Sequence, residues 1–239
     1  MIRFIMNEYN KMFDHHWSLY QKILQHNYMG HDQIYSVLED DLISHIQAPF
    51  SFLDIGCGDA QTITGRLKHT PINAYTGIDL SADALTHAQH FLTPLQIQTH
   101  LINNDFEHAL ADLVTQQAQF DVIFSGFALH HLAPEQRIHA FHNIYQLLDK
   151  GGCFYLIDVY PHKDEPRDIY LDRYLAKPMT DWTELNDTEK TILDDHVRSS
   201  DFPACKDTLI EIATETGFES IQCLFEDDEH ANILMAFTK

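Results

Sequence analysis

Basic residues are scarce in this chain. Fifteen Lys and Arg stand against 36 Asp and Glu over 239 residues, a formal net charge of −21 with histidines neutral. Gripping a phosphate backbone takes a clustered cationic face, and no basic cluster occurs along the sequence, which argues against nucleic acid or an anionic membrane as partner. Cysteine is also sparse. Cys57, Cys153, Cys205 and Cys223 show no CxxC spacing and sit mostly in apolar runs, so reduced, buried thiols are expected rather than a disulfide framework. Long apolar stretches are missing, none approaching the ~20 residues of a membrane helix. The first residues, Met1 to Glu8, lack both an apolar h-region and a small-residue cleavage site, and a cytoplasmic protein is expected. Histidine alone is abundant, at 17. The helically spaced pairs His87/His90 and His139/His142 have no nearby acid or third ligand at a recognisable spacing, so they read as solvated imidazoles and no metal site is expected.

Glycine is used sparingly but tellingly. Phe52-Leu53-Asp54-Ile55-Gly56-Cys57-Gly58-Asp59-Ala60 is an apolar run ending in an acid and a Gly-x-Gly turn. Such a turn brings bare backbone against a ligand, because glycine accepts positive φ and leaves room for close approach. A dinucleotide fingerprint requires a third glycine at the sixth position. Gln61 stands there, and the small residue, Ala60, comes one place early. Asp54 puts a carboxylate where a cofactor bearing an ammonium group needs one and a pyrophosphate does not, which favours S-adenosylmethionine.

Strand-like and helical segments alternate from about residue 51: strands at 52–55, 74–80, 97–102, 120–125 and 153–159. Ser81 can cap a helix presenting Leu85, Ala88 and Leu92. Pro134 opens another with Ile138, Phe141, Ile144, Tyr145 and Leu148 inward, closed by Gly151. This alternation predicts an α/β fold: a doubly wound, mostly parallel seven-stranded sheet with helices on both faces. A helix at 207–216, stopped by Gly217, leads into strands at 218–225 and 231–237 across an acidic turn at 227–229, so the sheet ends in a C-terminal antiparallel hairpin. The expected organisation is an N-terminal helical lid over 1–48 and a Rossmann-like domain over 49–239, carrying a helical insertion at about 161–203.

An ordered set of motifs, LDIGCG at 53–58, GIDLS at 77–81, NND at 103–105, FDVIFSGFALHHL at 120–132 and LLDKGG at 147–152, resembles the class I S-adenosylmethionine-dependent methyltransferases of small-molecule type. The resemblance implies that Gly56 and Gly58 pack against the methionine part of the cofactor and that Asp54 orients its amino group, directly or through water. Asp79, with Leu80 beside it, ends the second strand about 20 residues beyond the glycines, where an acid accepts ribose hydroxyls; the bland alternative is a helix cap, for which Ser81 is better placed. Asp105 and Phe106 resemble the element that reads the adenine edge, with an N-cap as the compatible alternative. Ser125 and Gly126 are implied to line the cofactor at the end of the fourth strand.

Methyl transfer is an in-line displacement at a sulfonium and needs a general base only when the nucleophile arrives protonated. Histidines titrating near neutrality qualify, and His130, His131 and His196 are the catalytic candidates. Trp17, Tyr20, Tyr28 and His31 from the N-terminal segment, with Arg198 from the insertion, are substrate candidates, although an aromatic stripe at helical spacing is usually core and 195–203 reads somewhat more readily as an ordinary charged loop. The tetrapeptide of amino-methylating nucleic acid enzymes and the acids of a catechol-type magnesium site are absent after the fourth strand, where Ser125-Gly126-Phe127-Ala128 stands. The reading is metal-independent transfer to an O or N atom of a small molecule. Protein or tRNA modification, and a nucleotide-binding module or sensor without turnover, are the alternatives.

Overall fold

A computed structural model describes residues 19–227 and 231–239. The chain divides into two compact units, Met1–Asp32 with Asp164–Asp201 and Gln33–Lys163 with Phe202–Lys239. Trp17 lies outside the described residues, as do positions 228–230 of the acidic turn.

The larger unit holds strands β1 (Phe50–Ile55), β2 (Ile72–Asp79), β3 (Gln98–Asn103), β4 (Phe120–Gly126), β5 (Leu148–Val159), β6 (Ser220–Glu226) and β7 (Asn232–Thr238). They form one sheet in the order β3-β2-β1-β4-β5-β7-β6. The first five are parallel, and β7 runs antiparallel to both β5 and β6. The expected fold class is therefore observed. The strand order reverses between β1 and β4, which opens a crevice at their carboxyl ends.

Helices cover both faces, because the inner strands are apolar on both sides. On one face α1 (His31–His45), α2 (Gln61–Leu67) and α3 (Ala82–Leu92) bury Leu38, Leu42, Ile63, Leu67, Leu85 and Ala88 against Phe52, Tyr75 and Phe124. On the other, α4 (Phe106–Thr115), α5 (Pro134–Leu147) and the later α8 (Lys206–Thr216) pack Leu110, Phe141, Ile144 and Ile212 on Leu53, Ile123 and Phe154. Ser81 caps α3 as expected, its Oγ accepting from the Ala84 N–H at 3.1 Å.

Three local expectations are corrected. The inward stripe of α5 is Arg137, Ala140, Phe141, Ile144 and Leu147, which leaves Ile138 48% exposed. Arg137 tolerates burial because its guanidinium donates to the Leu132 and Phe202 carbonyls. Gly151 does not close that helix: α5 ends at Leu147, β5 starts at Leu148, and Gly151 lies within the strand at φ +79°. The cysteines are all unpaired, but only Cys57 is fully buried, and Cys223 is exposed on the edge strand β6.

The smaller unit contains a helical segment at residues 19–25 together with α6 (Arg167–Asp181) and α7 (Asp187–Ser200). Asn186 and Glu189 form a capping box at the start of α7, and Glu189 also pairs with Lys22 at 3.0 Å. Residues 195–200, read as a charged loop, are the last turns of α7. Among the described residues no helix is long and apolar enough to cross a membrane.

Candidate cofactor site

The turn after β1 alternates into the left-handed region at Gly56 (φ +72°), Gly58 (φ +52°) and Ala60 (φ +56°). Gly56 is doubly constrained, since a Cβ there would lie 2.6 Å from Ala128 Cβ. Gly58 is the reverse case. A Cβ built on it meets nothing within 4 Å, so the turn presents bare backbone to open space. The amide hydrogens of the turn are committed elsewhere: Gly56 and Cys57 donate to Ile78 O at 2.9 and 3.0 Å, and Gly58 donates to Asp79 Oδ2 at 2.8 Å. Gln61 N–H is taken by Asp59 Oδ1 at 3.0 Å. A pyrophosphate would find few amide donors here and three carboxylates around it.

Those carboxylates define the electrostatics. Asp54 is buried at the end of β1 with Oδ2 accepting from the Tyr75 hydroxyl at 2.6 Å. Burial pushes its carboxyl up to about 7, against the Tyr75 bond that favours the charged form. Burial also holds Asp79 above the usual carboxylate range, although Ser81 and Gly58 both donate to it. The Cys57 thiol, pressed between them, is pushed well up by burial and by both acids, which makes it an inert thiol. A buried acid and a half-buried one beside the same turn suit a cationic ligand.

Several of the sequence candidates lie at the strand ends around this turn. Leu80 follows β2 with its side chain 55% exposed, while Asn103 Nδ2 holds that loop by donating to the Asp79 and Leu80 carbonyls at 3.1 and 2.8 Å. Asp105 is the N-cap of α4, accepting from the His108 N–H at 3.0 Å and lying 2.7 Å from its Nδ1; Phe106 begins that helix, partly buried. Ser125 is fully buried and donates to Ile55 O at 3.1 Å, bolting β4 to β1. Gly126 leaves room for the Tyr35 hydroxyl, which would sit 2.6 Å from a Cβ there.

His130 and His131 share a short 3₁₀ turn after β4, their ring centroids 4.1 Å apart. His130 is buried and its Nδ1 is hydrogen-bonded to Asp158 of β5, while its carbonyl accepts from Phe202 N–H at 2.7 Å. His131 is exposed. The remaining candidates belong to the smaller unit. Tyr28 stacks on Trp182 at 5.0 Å and 3°, its hydroxyl accepting from Glu184 N–H. Tyr20 meets His31 edge-on at 6.2 Å. Burial pushes the His31 imidazole down to about 4, so it is neutral at physiological pH. His196 is half-buried on α7, and Arg198 pairs with Asp172 and Asp194 at 2.8 and 3.1 Å.

Tyr75, Tyr35 and Gly77 escaped the sequence reading. Tyr75 and Tyr35 look like ordinary core aromatics in a strand and a helix. Gly77 lies inside the GIDLS motif, yet nothing in its spacing reveals a role, which depends on a cross-strand neighbour.

Residues 53–154 match the family described as "Methyltransferase domain". The chain is 26% identical over 136 residues to "Probable methyltransferase ltbC" of Aspergillus luteorubrus, covering 55% of this chain and 48% of that protein. It is 30% identical over 107 residues to the S-adenosyl-L-methionine-dependent methyl transferase PigF of Serratia sp. (strain ATCC 39006), covering 44% of this chain and 29% of that one. The chain thus spans less than half the length of these two relatives. Among solved structures, the plantazolicin methyltransferase BamL, in complex with a triazolic desmethylPZN analog and SAH, superposes with TM-score 0.62 at 18% identity over 92% of this chain and 90% of that one. The YcgJ protein of Bacillus subtilis gives 0.60 at 14% identity over 85% and 97%. At such identities the likeness concerns the fold.

Proposed function

The chain carries a class I S-adenosylmethionine-dependent methyltransferase domain, and from that premise we propose that the whole protein methylates an O or N atom of a small molecule without a metal. The observation that carries the cofactor side is the turn itself: open space over Gly58, its amide hydrogens folded back on β2, a buried carboxylate at Asp54 and a half-buried one at Asp79. S-adenosylmethionine supplies a methyl on a positively charged sulfur, delivered in line to the acceptor's lone pair.

The chain's own residues bind and orient. Gly56 and Gly58 admit the methionine end, Asp54 accepts from the amino group, Asp79 accepts from the ribose hydroxyls, Leu80 offers an apolar surface to the base, and Asp105 with Phe106 borders its edge. Ser125 and Gly126 line the β4 side. Alignment and exclusion of water then supply most of the rate, the latter falling in this reading to segments 1–48 and 161–203, where Trp17, Tyr20, Tyr28 and Arg198 are the acceptor-side candidates. His130 Nδ1 is committed to Asp158, which suits an orienting role. His131 and His196 remain the base candidates for a protonated nucleophile. Two findings support the small, non-nucleic acceptor: the strong net acidity, and the small-molecule analog bound by the structurally similar plantazolicin enzyme. A strand end of Ser125-Gly126 in place of an acid supports the metal-independent reading. Four unpaired thiols are consistent with a cytoplasmic location.

Calorimetric titration with S-adenosylhomocysteine and with NAD tests the reading, followed by transfer of labelled methyl to a panel of small nucleophiles. Binding of the first ligand alone with label incorporation supports it. Preference for NAD overturns it, and cofactor binding with no transfer to any acceptor class favours a sensor.

A further inference from the structure

Tyr75 sits one strand away from the glycine turn, yet its hydroxyl is the hydrogen-bond donor to Asp54 Oδ2. Its register partner on β1 is Phe52, two residues before Asp54, and the two rings stack at 5.9 Å and 14°. To reach Asp54 the tyrosine ring must lean along the strand over position 77, the register partner of Asp54. Gly77 makes that lean possible. A Cβ there would lie 2.9 Å from Tyr75 Cε1 and from Cys57 Sγ, and 3.1 Å from Leu101 Cδ2. The backbone of Gly77 does not have positive φ, so its lack of a side chain serves space rather than conformation.

We propose that Tyr75 is a positioning residue of the cofactor site: through its bond to Asp54 it fixes which carboxylate oxygen faces the turn and the pH above which that carboxylate accepts an ammonium group. The inference rests on the methyl-donor reading above. With Oδ2 held by Tyr75, Oδ1 is the oxygen offered to the cofactor's amino end. The titratable groups around Asp54 are Tyr75 and Asp79 from β2 and Cys57 from the turn; α1 brings Tyr35 to the neighbouring Gly126, and β4 contributes the apolar Phe124, the register partner of Asp54. The charge acting on Asp54 is the like charge of Asp79, so its proton is held by burial and repulsion and released with the help of the tyrosine bond. Burial and Asp54 keep the Tyr75 hydroxyl itself protonated throughout the working range. An ammonium group arriving at Oδ1 therefore binds best once Asp54 has lost its proton, and binding near neutrality displaces that proton to solvent.

The test is calorimetric titration of the full chain with S-adenosylhomocysteine between pH 5.5 and 8, in buffers of differing ionisation enthalpy to count released protons. Wild-type affinity is expected to rise about tenfold across this interval, the change one pK unit of coupling produces, with proton release greatest near pH 7. Tyr75→Phe keeps the ring and removes the donor, so its profile shifts upward in pH and its affinity at pH 7 falls several-fold. Gly77→Ala retains the hydroxyl but displaces the ring, and gives the same upward shift should the phenylalanine variant fail to fold. Asp54→Asn flattens the profile. A wild-type profile in Tyr75→Phe, or in Asp54→Asn, overturns the proposal while leaving the cofactor assignment intact, and so does wild-type binding without pH dependence. Absence of binding at every pH refutes the methyl-donor reading itself.

Discussion

Replacing Asp54 with asparagine should make the unliganded protein more stable at alkaline pH and much less so at acid pH. Asparagine keeps the shape of the side chain and an oxygen for the Tyr75 hydroxyl, but it carries no charge to bury. The Asp54 carboxyl is pushed from 3.8 to about 7 in the folded chain, mainly by burial. A proton held more tightly in the folded than in the unfolded state stabilises the fold fully below pH ~4, and that contribution is lost as pH rises towards ~7. At ~1.4 kcal/mol per pK unit, the loss amounts to about 4 kcal/mol, a large part of the ~5–15 kcal/mol that holds a typical domain together. Urea denaturation of both proteins from pH 5 to 8.5 measures it. The two should differ by about 1.5 kcal/mol at the acid end, where part of the contribution is already lost, and by about 4 kcal/mol at the alkaline end, with the variant the more stable. A difference independent of pH, or a variant less stable at pH 8.5, would refute the idea that the wild-type fold buries this charge at a cost. The same substitution removes the proposed ammonium acceptor, so stability and cofactor affinity should move in opposite directions, as expected where a site stores strain for function.

Asp79→Ala should weaken S-adenosylhomocysteine binding by about 1–3 kcal/mol through loss of charge-assisted hydrogen bonds, and unchanged calorimetric affinity in the folded variant would remove the ribose assignment. Gly65 lies inside α2, and a Cβ there meets nothing within 4 Å; Gly65→Ala should therefore raise stability by ~0.5–1 kcal/mol, visible as a higher Tm, and a lower Tm would contradict the open surroundings. Asn186→Ala breaks the capping box of α7 and should cost ~0.5–2 kcal/mol, read as earlier local opening by hydrogen exchange in the smaller unit; unaltered protection would show that the cap is dispensable. His131→Ala and His196→Ala should each be assayed for turnover against pH: the essential base loses the acid limb of its profile while S-adenosylhomocysteine affinity holds, and full activity across pH eliminates the residue.

Much of the fold was legible because it follows from local periodicity. Alternation of apolar strands with capped helices specified the parallel sheet, and the short acidic connection before Ala231 specified the antiparallel ending. The glycine turn, the acids at Asp54 and Asp79, and the Ser81 cap were equally readable, since each depends on a residue type at a fixed offset from a strand end. What the sequence could not determine are contacts between residues far apart along the chain. The strand order that sets β4 beside β1 gives Gly56 a second duty, clearance from Ala128, that no local pattern contains. Ile138 and Arg137 differ by one helical position, about 100° of rotation, and only packing on the sheet determined which was buried. The Tyr75 hydroxyl, the Gly77 gap and the Asp54 proton form one arrangement assembled across two strands. Tertiary structure alone turns a core tyrosine into a determinant of charge, because burial, which sets the cost of ionising Asp54, exists only once the chain has folded around it.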